Sequence, residues 1–363
     1  MYVAPTKIDY EESEDIRPRS SLFVYLKRLL WLVVIVLIIV AGYVGVHFAS
    51  AYRTIVVGEE GDRSLKGYLS KWLRGDEDGN LPNDPNPIPQ KEEHRLDVLL
   101  LGIRGEDDIE EAGSLLTDTM LLLSVDKETG RAALTSLPRD IYIDMKGTLT
   151  DGDVLSVKGK VNEIYVRGLE HREGLTYSSQ MISRLTGVYV DKAVLFDFTA
   201  FGKLIDVLGG IDVYLAQPFS EKKQWGYEFS LPAGKNHLNS EQALYYVRSR
   251  FSSSDFDRAR RQQEVILAIK NKATQLGFFA NPTKVTDLLD ALKGNVRTNF
   301  QIWEIKDLLK LAESFKGDQL KKGVVSTDNL MYETHLENGE YVLLPKGDDF
   351  KLFQEYFRTI LNE

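Results

Sequence analysis

Five arginines lie close together in the segment YVRSRFSSSDFDRARRQQ, which covers residues 246–263. They are Arg248, Arg250, Arg258, Arg260 and Arg261. A guanidinium group presents two parallel N–H donors to one planar or tetrahedral oxyanion. Several arginines directed at one point therefore predict a phosphate or pyrophosphate site.

Helical spacing divides these arginines into two groups. On a helix that begins near Asp255, residues three and four apart share a face, which places Arg258, Arg261 and Gln262 together. Arg260 points away from that face. The alternative is a solvated helix face whose arginines pair with aspartates of the same turn.

Two other segments are polar where the local pattern would permit apolar residues: SLPRD at 136–140 and KVNEIY at 160–165. Arg139 and Asp140 follow a predicted buried strand, and binding sites of open α/β sheets usually form where such strands end. The alternative is that Arg139 and Asp140 simply pair with each other.

One carboxylate also stands next to a predicted buried strand, in LLTDTMLLL. A hard cation there would bridge Asp118 to a diphosphate, whereas turn capping by Asp118 is an equally good interpretation. The chain has no Walker A, GxSxG or HExxH motif, and none of its five histidines stands at metal-ligand spacing from another.

Apolar runs and helical patterns alternate from residue 96 onward, which predicts an α/β sandwich with a central sheet. The predicted strands are 98–103, 119–125, 131–137, 193–198, 211–214 and 341–344. The predicted helices are 177–186, 201–208, one started by Asn239, one beginning near Asp255, 284–292, 302–315 and 350–361.

The run 29–48 has no charged residue and is long enough to cross a bilayer as a helix. A cleaved signal peptide would have a shorter apolar region, and a core helix would have a polar face, so we favour an uncleaved anchor. Four Lys or Arg side chains in the twenty residues before the run and three in the twenty after it weakly favour a cytoplasmic N-terminus.

The predicted organisation is therefore a tail at 1–28, a transmembrane helix at 29–48 and a neck with a Gly/Pro-rich linker at 49–94. An extracytoplasmic domain follows at 95–363, with its motifs in 96–263 and a C-terminal extension at 280–363. This organisation predicts a single-pass membrane protein. The absence of cysteine excludes disulfides and thiolate sites, and the net charge of -9 disfavours nucleic acid as a partner.

Taken together, these segments resemble the LytR-CpsA-Psr family of cell-wall glycopolymer transferases. The matching blocks follow the family's order and are DVLLLGI, TDTMLLLSVD, SLPRDIYI, KVNEIY, FDFTAFGKLIDVLGGIDV, HLNSEQALYYVRSR and DFDRARRQQ. The resemblance implies an α/β/α fold with a central mixed sheet. It also implies that a glycopolymer moves from a polyprenyl-pyrophosphate carrier, by phosphoryl transfer, to a sugar hydroxyl of the cell wall, typically of peptidoglycan.

The resemblance further implies a set of site residues. The family's pyrophosphate-binding arginines fall on Arg139, Arg248, Arg250 and Arg258, with Lys160 and Gln262 beside them. The family's metal-binding aspartate falls on Asp118, so Mg²⁺ (or Mn²⁺) is the implied cofactor. Phosphoryl transfer fits such a site, because it requires positioning and charge neutralisation more than covalent participation by the protein.

The chain departs from the family pattern at two positions. Arg104 stands where the family usually has an aspartate, and Leu116 stands where it has an arginine. Arg104 restores the lost positive charge from the opposite loop and joins the expected substrate-binding residues. Asp107 or Asp108 is then the candidate for the second metal carboxylate, and we favour Asp108.

Three functions remain open from the sequence: transfer of a glycopolymer, non-catalytic binding of a polyprenyl-pyrophosphate lipid, and hydrolysis of the carrier pyrophosphate. A polyprenyl chain requires an apolar cleft beside the arginines. We expect about half of the candidate wall residues to belong to an ordinary core instead. The candidates are Phe196, Phe198, Phe201, Leu204, Ile205 and Leu208.

Overall fold

A computed structural model of the chain describes residues 84, 86–105, 115–278, 281–301, 304 and 320–362. The predicted tail and transmembrane helix lie outside these residues, as do most of the neck and linker at 49–94, Asp107, Asp108 and almost all of the helix predicted at 302–315. Within the described part of the chain, no helix combines the length and the apolar composition needed to span a membrane.

The strands are β1 (Arg95–Gly102), β2 (Thr119–Asp126), β3 (Ala132–Ser136), β4 (Tyr142–Thr148), β5 (Val154–Lys160), β6 (Lys192–Phe196), β7 (Ile211–Leu215), β8 (Phe219–Glu221), β9 (Phe229–Leu231), β10 (Gly234–Leu238), β11 (Val296–Thr298), β12 (Leu320–Val324), β13 (Met331–His335) and β14 (Tyr341–Pro345). The helices are α1 (Ile164–Leu169), α2 (Gly174–Thr186), α3 (Phe198–Leu208), α4 (Ser240–Arg248), α5 (Asp255–Gln275), α6 (Pro282–Leu292) and α7 (Lys351–Thr359).

Six of the strands form the central sheet in the order β11-β6-β1-β2-β3-β12. The pairs β1/β6 and β3/β12 are parallel, and the other three pairs are antiparallel. The predicted mixed central sheet is therefore confirmed. Because β1, β3 and β6 run in one direction and β2 runs against them, the ends of β1 and β3 and the start of β2 meet at one edge of the sheet.

The two faces of the sheet are covered differently. Alternate side chains such as Leu99, Leu101 and Leu122 are buried with Tyr177 of α2 and Phe353 of α7 in one continuous core. The opposite face is turned toward α3, α4 and α5. A second core lies on the far side of these helices, between them and β7, β9 and β10. Helices thus lie on both faces of the sheet, as expected for an α/β/α sandwich.

Capping side chains fix the beginnings of the two helices that carry the arginines. Asn239 accepts from the backbone N–H of Gln242 at 2.9 Å, and the Gln242 side chain accepts from the Asn239 backbone in return. Ser254 and Asp257 form the same capping box at the start of α5. Both predicted helix starts are confirmed, and the loop between the helices carries Arg250.

The strand predicted at 341–344 is confirmed as β14. The sequence pattern did not predict its partner β13 or the hairpin β4–β5. The hairpin β13–β14 lies against the end of β3, because the backbone N–H of Leu343 donates to the Asp140 carbonyl oxygen at 2.9 Å. Lys160, at the end of β5, is 3.3 Å from Glu340 at the start of β14. Both hairpins therefore border the sheet edge where SLPRD emerges.

Candidate active site

Asp118 lies at the centre of the arginine cluster, directly before β2. Its Oδ1 is 2.5 Å from Nη1 of Arg139, which follows β3. Its Oδ2 is 3.6 Å from Nε of Arg104, which follows β1. The sheet order causes this arrangement, because it brings the ends of β1 and β3 to the start of β2. One carboxylate therefore stands between two guanidinium groups.

Arg139 is the most highly connected of the predicted site residues. Its Nε lies 3.6 Å from Asp140 and 3.8 Å from Asp255, in addition to the contact with Asp118. Burial acts to lower the pKa of Arg139, but the carboxylates, above all that of Asp118, outweigh burial and raise it. The suggested pair of Arg139 with Asp140 therefore exists, although Asp118 is the closer partner.

Arg258 is held in surroundings that disfavour its positive charge. Only 11% of its side chain is exposed, and its Nη2 is 3.4 Å from Asp255. Burial lowers the pKa of Arg258, and the nearby charges of Arg139 and Arg250 lower it further, while Asp255 acts in the opposite direction. An oxyanion bound beside Arg258 would relieve this imbalance.

Gln262 and Lys160 occupy opposite sides of the cluster. The Gln262 side-chain amide donates to the Thr119 hydroxyl at 2.9 Å, one turn along α5 from Arg258. Lys160 lies 2.9 Å from Asp140. Burial acts to lower the pKa of Lys160, but its hydrogen bonds and charge interactions with Asp140 and Glu340 together outweigh burial and raise it.

Aromatic rings and Gln224 position the remaining two arginines. The guanidinium carbon of Arg248 lies 4.3 Å from the ring centre of Phe198 and 5.3 Å from that of Trp225. Cation–π contacts of this kind hold the guanidinium group beside the rings. The side chain of Gln224 accepts from the Arg250 backbone N–H at 2.9 Å and donates to the Arg248 carbonyl oxygen at 3.1 Å.

The structure corrects the predicted role of Arg261. This residue is buried away from the site, where it donates to the carbonyl oxygens of Tyr246 and Ser249 and to the Ser253 hydroxyl. It therefore holds the loop that carries Arg250 rather than a ligand. Arg260 points into solvent and is 2.6 Å from Asp257, as its place on the other helix face predicted.

Two cavities adjoin this cluster. The first, called the apolar cavity below, has a volume of about 460 Å³ and lies between the second sheet face and helices α3 to α6. Its mouth includes Arg104, Arg248 and Arg250, and its walls include Leu100, Val194, Phe196, Phe198, Phe201, Leu204, Leu244 and Ile266. Four of the six wall candidates predicted from the sequence line it, whereas Ile205 and Leu208 belong to the second core.

The second cavity, called the polar cavity below, has a volume of about 540 Å³. Its walls include Asp140, Lys160, Ser254, Asp255, Glu333 and Tyr341. The two cavities share a wall, which consists of Asp118, Thr119, Arg139, Arg258 and Gln262. Every predicted site residue within the described part of the chain lines at least one of the two cavities.

The described residues do not complete a magnesium site on their own. Mg²⁺ prefers six oxygen ligands in octahedral geometry at about 2.0–2.1 Å. Both oxygens of Asp118 face guanidinium groups, and no cluster of three potential metal-ligating side chains occurs among the described residues. The second predicted ligand, Asp108, lies outside those residues.

Several contributors to the site were not predicted. Gln224 and Trp225 contact Arg248 and Arg250 from a loop that precedes them by more than twenty residues. Glu333 and Tyr341 come from the hairpin β13–β14. These residues carry no motif and no distinctive spacing. Tertiary folding alone brings them to the arginines.

The fold and the site define a mixed α/β protein whose arginine cluster borders an apolar cavity, an arrangement suited to an anion with an apolar tail. Residues 74–358 match the LytR_cpsA_psr family, and the chain belongs to this family. The resemblance found in the sequence motifs is thereby confirmed.

Curated relatives carry transferase names. The chain is 32% identical over 240 residues to "Polyisoprenyl-teichoic acid--peptidoglycan teichoic acid transferase TagU" of Oceanobacillus iheyensis, which covers 63% of this chain and 68% of the relative. It is 26% identical over 299 residues to the TagV transferase of Bacillus subtilis, which covers 81% of this chain and 69% of the relative.

Solved structures share the fold. The crystal structure of B. subtilis TagV matches with a TM-score of 0.56 at 23% identity and covers 75% of this chain and 98% of TagV. The structure of TagT bound to LIIa-WTA matches with a TM-score of 0.56 at 22% identity and covers 78% of this chain and 97% of TagT. These similarities support the mixed α/β architecture described above.

Proposed function

We propose that this protein transfers a glycopolymer from a polyprenyl-pyrophosphate carrier to a sugar hydroxyl of the cell wall, with peptidoglycan as the acceptor. The observation that carries the proposal is the cationic wall at the mouth of the apolar cavity. A polyprenyl pyrophosphate complements this arrangement, because it joins a long apolar chain to a negatively charged diphosphate head. The transferase names of relatives such as TagU also support it.

The arrangement of charges suits phosphoryl transfer. The pyrophosphate would lie against Arg139, Arg248, Arg250 and Arg258, with Arg104, Lys160 and Gln262 beside them, and its chain would enter the apolar cavity. Protein interiors have few voids much larger than a water molecule, so a cavity of about 460 Å³ lined by apolar side chains suits an apolar ligand. The arginines neutralise the charge that develops on the phosphoryl oxygens and hold the head group in place.

We also propose Mg²⁺ or Mn²⁺ as the cofactor, held by Asp118 together with Asp108. When bound, the ion would supply additional neutralisation of the diphosphate charge. The roles that we assign to the protein's side chains do not depend on how the ion would be coordinated. Asp118 orients Arg139 through their 2.5 Å contact, and the rest of the arginine wall binds the head group.

Reconstitution with purified protein separates the three functions left open by the sequence. A polyprenyl-pyrophosphate-linked disaccharide is incubated with Mg²⁺ in the presence and absence of a soluble glycan acceptor. Glycan carrying the disaccharide through a phosphodiester, together with released polyprenyl phosphate, is the expected result. Release without an acceptor product would indicate a pyrophosphatase, and binding without turnover would indicate a scaffold.

Filling the apolar cavity tests where the lipid binds. Leu204→Trp adds volume inside the cavity, so we expect affinity for a long-chain polyprenyl pyrophosphate to fall at least about tenfold. Leu352→Trp is the matched control, because Leu352 is exposed on α7 and lines neither cavity. Equilibrium binding of the two variants gives the comparison, and thermal unfolding checks that both are folded. Equal affinity for the two variants would contradict this location for the lipid.

The proposed location is the cell membrane, with 29–48 as a single spanning helix, a cytoplasmic N-terminus and the folded domain outside. Such a placement anchors the folded domain to the bilayer that holds the carrier lipid. Protease added to intact cells stripped of their wall should then digest the part of the chain beyond residue 50. Full protection of that part would contradict the topology.

A further inference from the structure

The two cavities differ in chemical character: charged and hydroxyl groups line the polar cavity beside apolar side chains such as Leu137 and Val325, whereas apolar side chains predominate in the apolar cavity. They meet at one wall, which consists of Asp118, Thr119, Arg139, Arg258 and Gln262. The proposed function accounts for the apolar cavity and the arginines, but beyond the shared wall it uses only Lys160 of the polar cavity. A volume of about 540 Å³ falls within the range of about 300–1,000 Å³ that is usual for ligand sites.

We infer that the polar cavity is the binding site for the acceptor glycan, and this inference rests on the proposed transferase function. In phosphoryl transfer the attacking and leaving oxygens lie roughly in line on opposite sides of phosphorus. The leaving polyprenyl phosphate occupies the apolar side of the shared wall. The attacking sugar hydroxyl must therefore approach from a different direction, and the polar cavity offers a second space along the same shared wall.

The reaction balances in this arrangement. The acceptor hydroxyl oxygen forms a bond to the phosphorus that carries the glycopolymer. The bond from that phosphorus to the bridging oxygen breaks, and the bridging oxygen leaves with the electron pair. The hydroxyl proton ends on the departing polyprenyl phosphate, which is thus released as the hydrogen phosphate monoester. No oxidant, reductant or further reactant is needed.

The walls of the polar cavity match a sugar in their chemistry. Tyr341 is partly exposed and offers a flat ring to the C–H face of a pyranose, a common contact in sugar recognition. Glu333, whose Oε2 is 3.4 Å from the Tyr341 hydroxyl, offers carboxylate oxygens to sugar hydroxyl groups. Ser254 adds a hydroxyl at the start of α5. The cavity thus combines one aromatic face with several hydrogen-bonding groups.

The hairpin β13–β14 holds these side chains in place relative to the arginines. Leu343 bonds to the backbone of Asp140, the neighbour of Arg139, and Glu340 forms an ion pair with Lys160. Tyr341 and Glu333 therefore keep a fixed position across the cavity from the shared wall. This assigns a role in acceptor recognition to the C-terminal part of the domain.

The test uses the full chain with a polyprenyl-pyrophosphate-linked disaccharide as donor and a soluble β-1,4-linked N-acetylglucosamine oligosaccharide as acceptor. Tyr341→Ala and the isosteric Glu333→Gln should each raise KM for the oligosaccharide at least tenfold. Donor affinity should stay within twofold, because neither residue borders the apolar cavity. Tyr332→Ala is the matched control: Tyr332 lies on the same hairpin, faces Asp348 and does not line the polar cavity.

The outcomes separate this inference from the proposed function. If the wild-type protein transfers the disaccharide and neither variant changes KM for the oligosaccharide, the acceptor does not bind in the polar cavity. If the wild-type protein forms no transfer product, the proposed function fails instead. In that case equilibrium binding of the oligosaccharide to the wild type and to Glu333→Gln tests whether the acceptor binds in the polar cavity. Equal affinities of the two proteins would overturn the inference.

Discussion

Replacing Arg248 or Arg250 by lysine should lower turnover at least about tenfold, with both variants remaining folded. Lysine keeps the charge but loses the two-pronged donor geometry, and charge-assisted hydrogen bonds to a diphosphate contribute roughly 1.5–3 kcal/mol each. A loss of about 1.4 kcal/mol corresponds to a factor of about ten. At Arg248, lysine also loses the contact between the planar guanidinium group and the rings of Phe198 and Trp225, which holds the guanidinium group in position.

Arg260→Lys is the internal control for this comparison. Arg260 is 53% exposed and pairs with Asp257 on the solvent face of α5, so its replacement should leave turnover within about threefold. Turnover numbers with the lipid-linked disaccharide, measured beside thermal unfolding curves, give the result. An equal loss of turnover in Arg260→Lys and Arg248→Lys would mean that the helix faces are wrongly assigned. Unchanged turnover in both Arg248→Lys and Arg250→Lys would mean that the diphosphate binds elsewhere.

The sequence predicted the central strands because their apolar signal is continuous. Strands β1, β2 and β3 are buried on both faces, so each appears as an unbroken apolar run. Strands β4 and β13 have exposed residues at intervals, and the same criterion did not find them. The missed strand β13 contributes Glu333 to the polar cavity, whereas β14, which contributes Tyr341, was predicted.

The sequence also predicted which arginines gather at the site, but not all of their roles. Arg139 and Asp118 were found because charge directly beside a buried strand is unusual. Arg258 and Arg261 are three residues apart and share a helix face by spacing alone, yet only Arg258 reaches the cavities. Arg261 is turned toward the carbonyl oxygens of the preceding loop, a contact that depends on how α4 and α5 pack and not on helical periodicity.

Sequence patterns do not distinguish an apolar residue that lines the apolar cavity from one that belongs to a core. Leu204 lines the cavity, and Ile205, the next residue of α3, is fully buried in the second core. The two side chains have nearly the same hydrophobicity, so only the gap between the sheet and the helix layer distinguishes them. Whether an apolar residue contacts a core or a ligand is decided by packing.

Asp118→Asn should lower turnover at least about a hundredfold, the scale expected when a preorganised electrostatic contact to a reacting group is removed. Asparagine removes the negative charge that holds Arg139 at 2.5 Å and faces Arg104 at 3.6 Å, so both guanidinium groups would lose their alignment on the diphosphate. It also removes the carboxylate proposed to bind Mg²⁺. The variant should therefore lose any Mg²⁺-induced rise in the thermal unfolding temperature.

Asp144→Asn is the matched control, because Asp144 is exposed on β4 and only 3.6 Å from the equally exposed Lys158. Its turnover should stay within about threefold of wild type, since an exposed ion pair contributes about 0–1 kcal/mol. Asp108→Asn separates the two roles of Asp118: it should abolish the Mg²⁺-induced thermal shift without disturbing the contact between Asp118 and Arg139. If wild-type turnover survives chelation of divalent ions while Asp118→Asn remains inactive, the metal proposal fails and the orientation of Arg139 alone explains the requirement for Asp118.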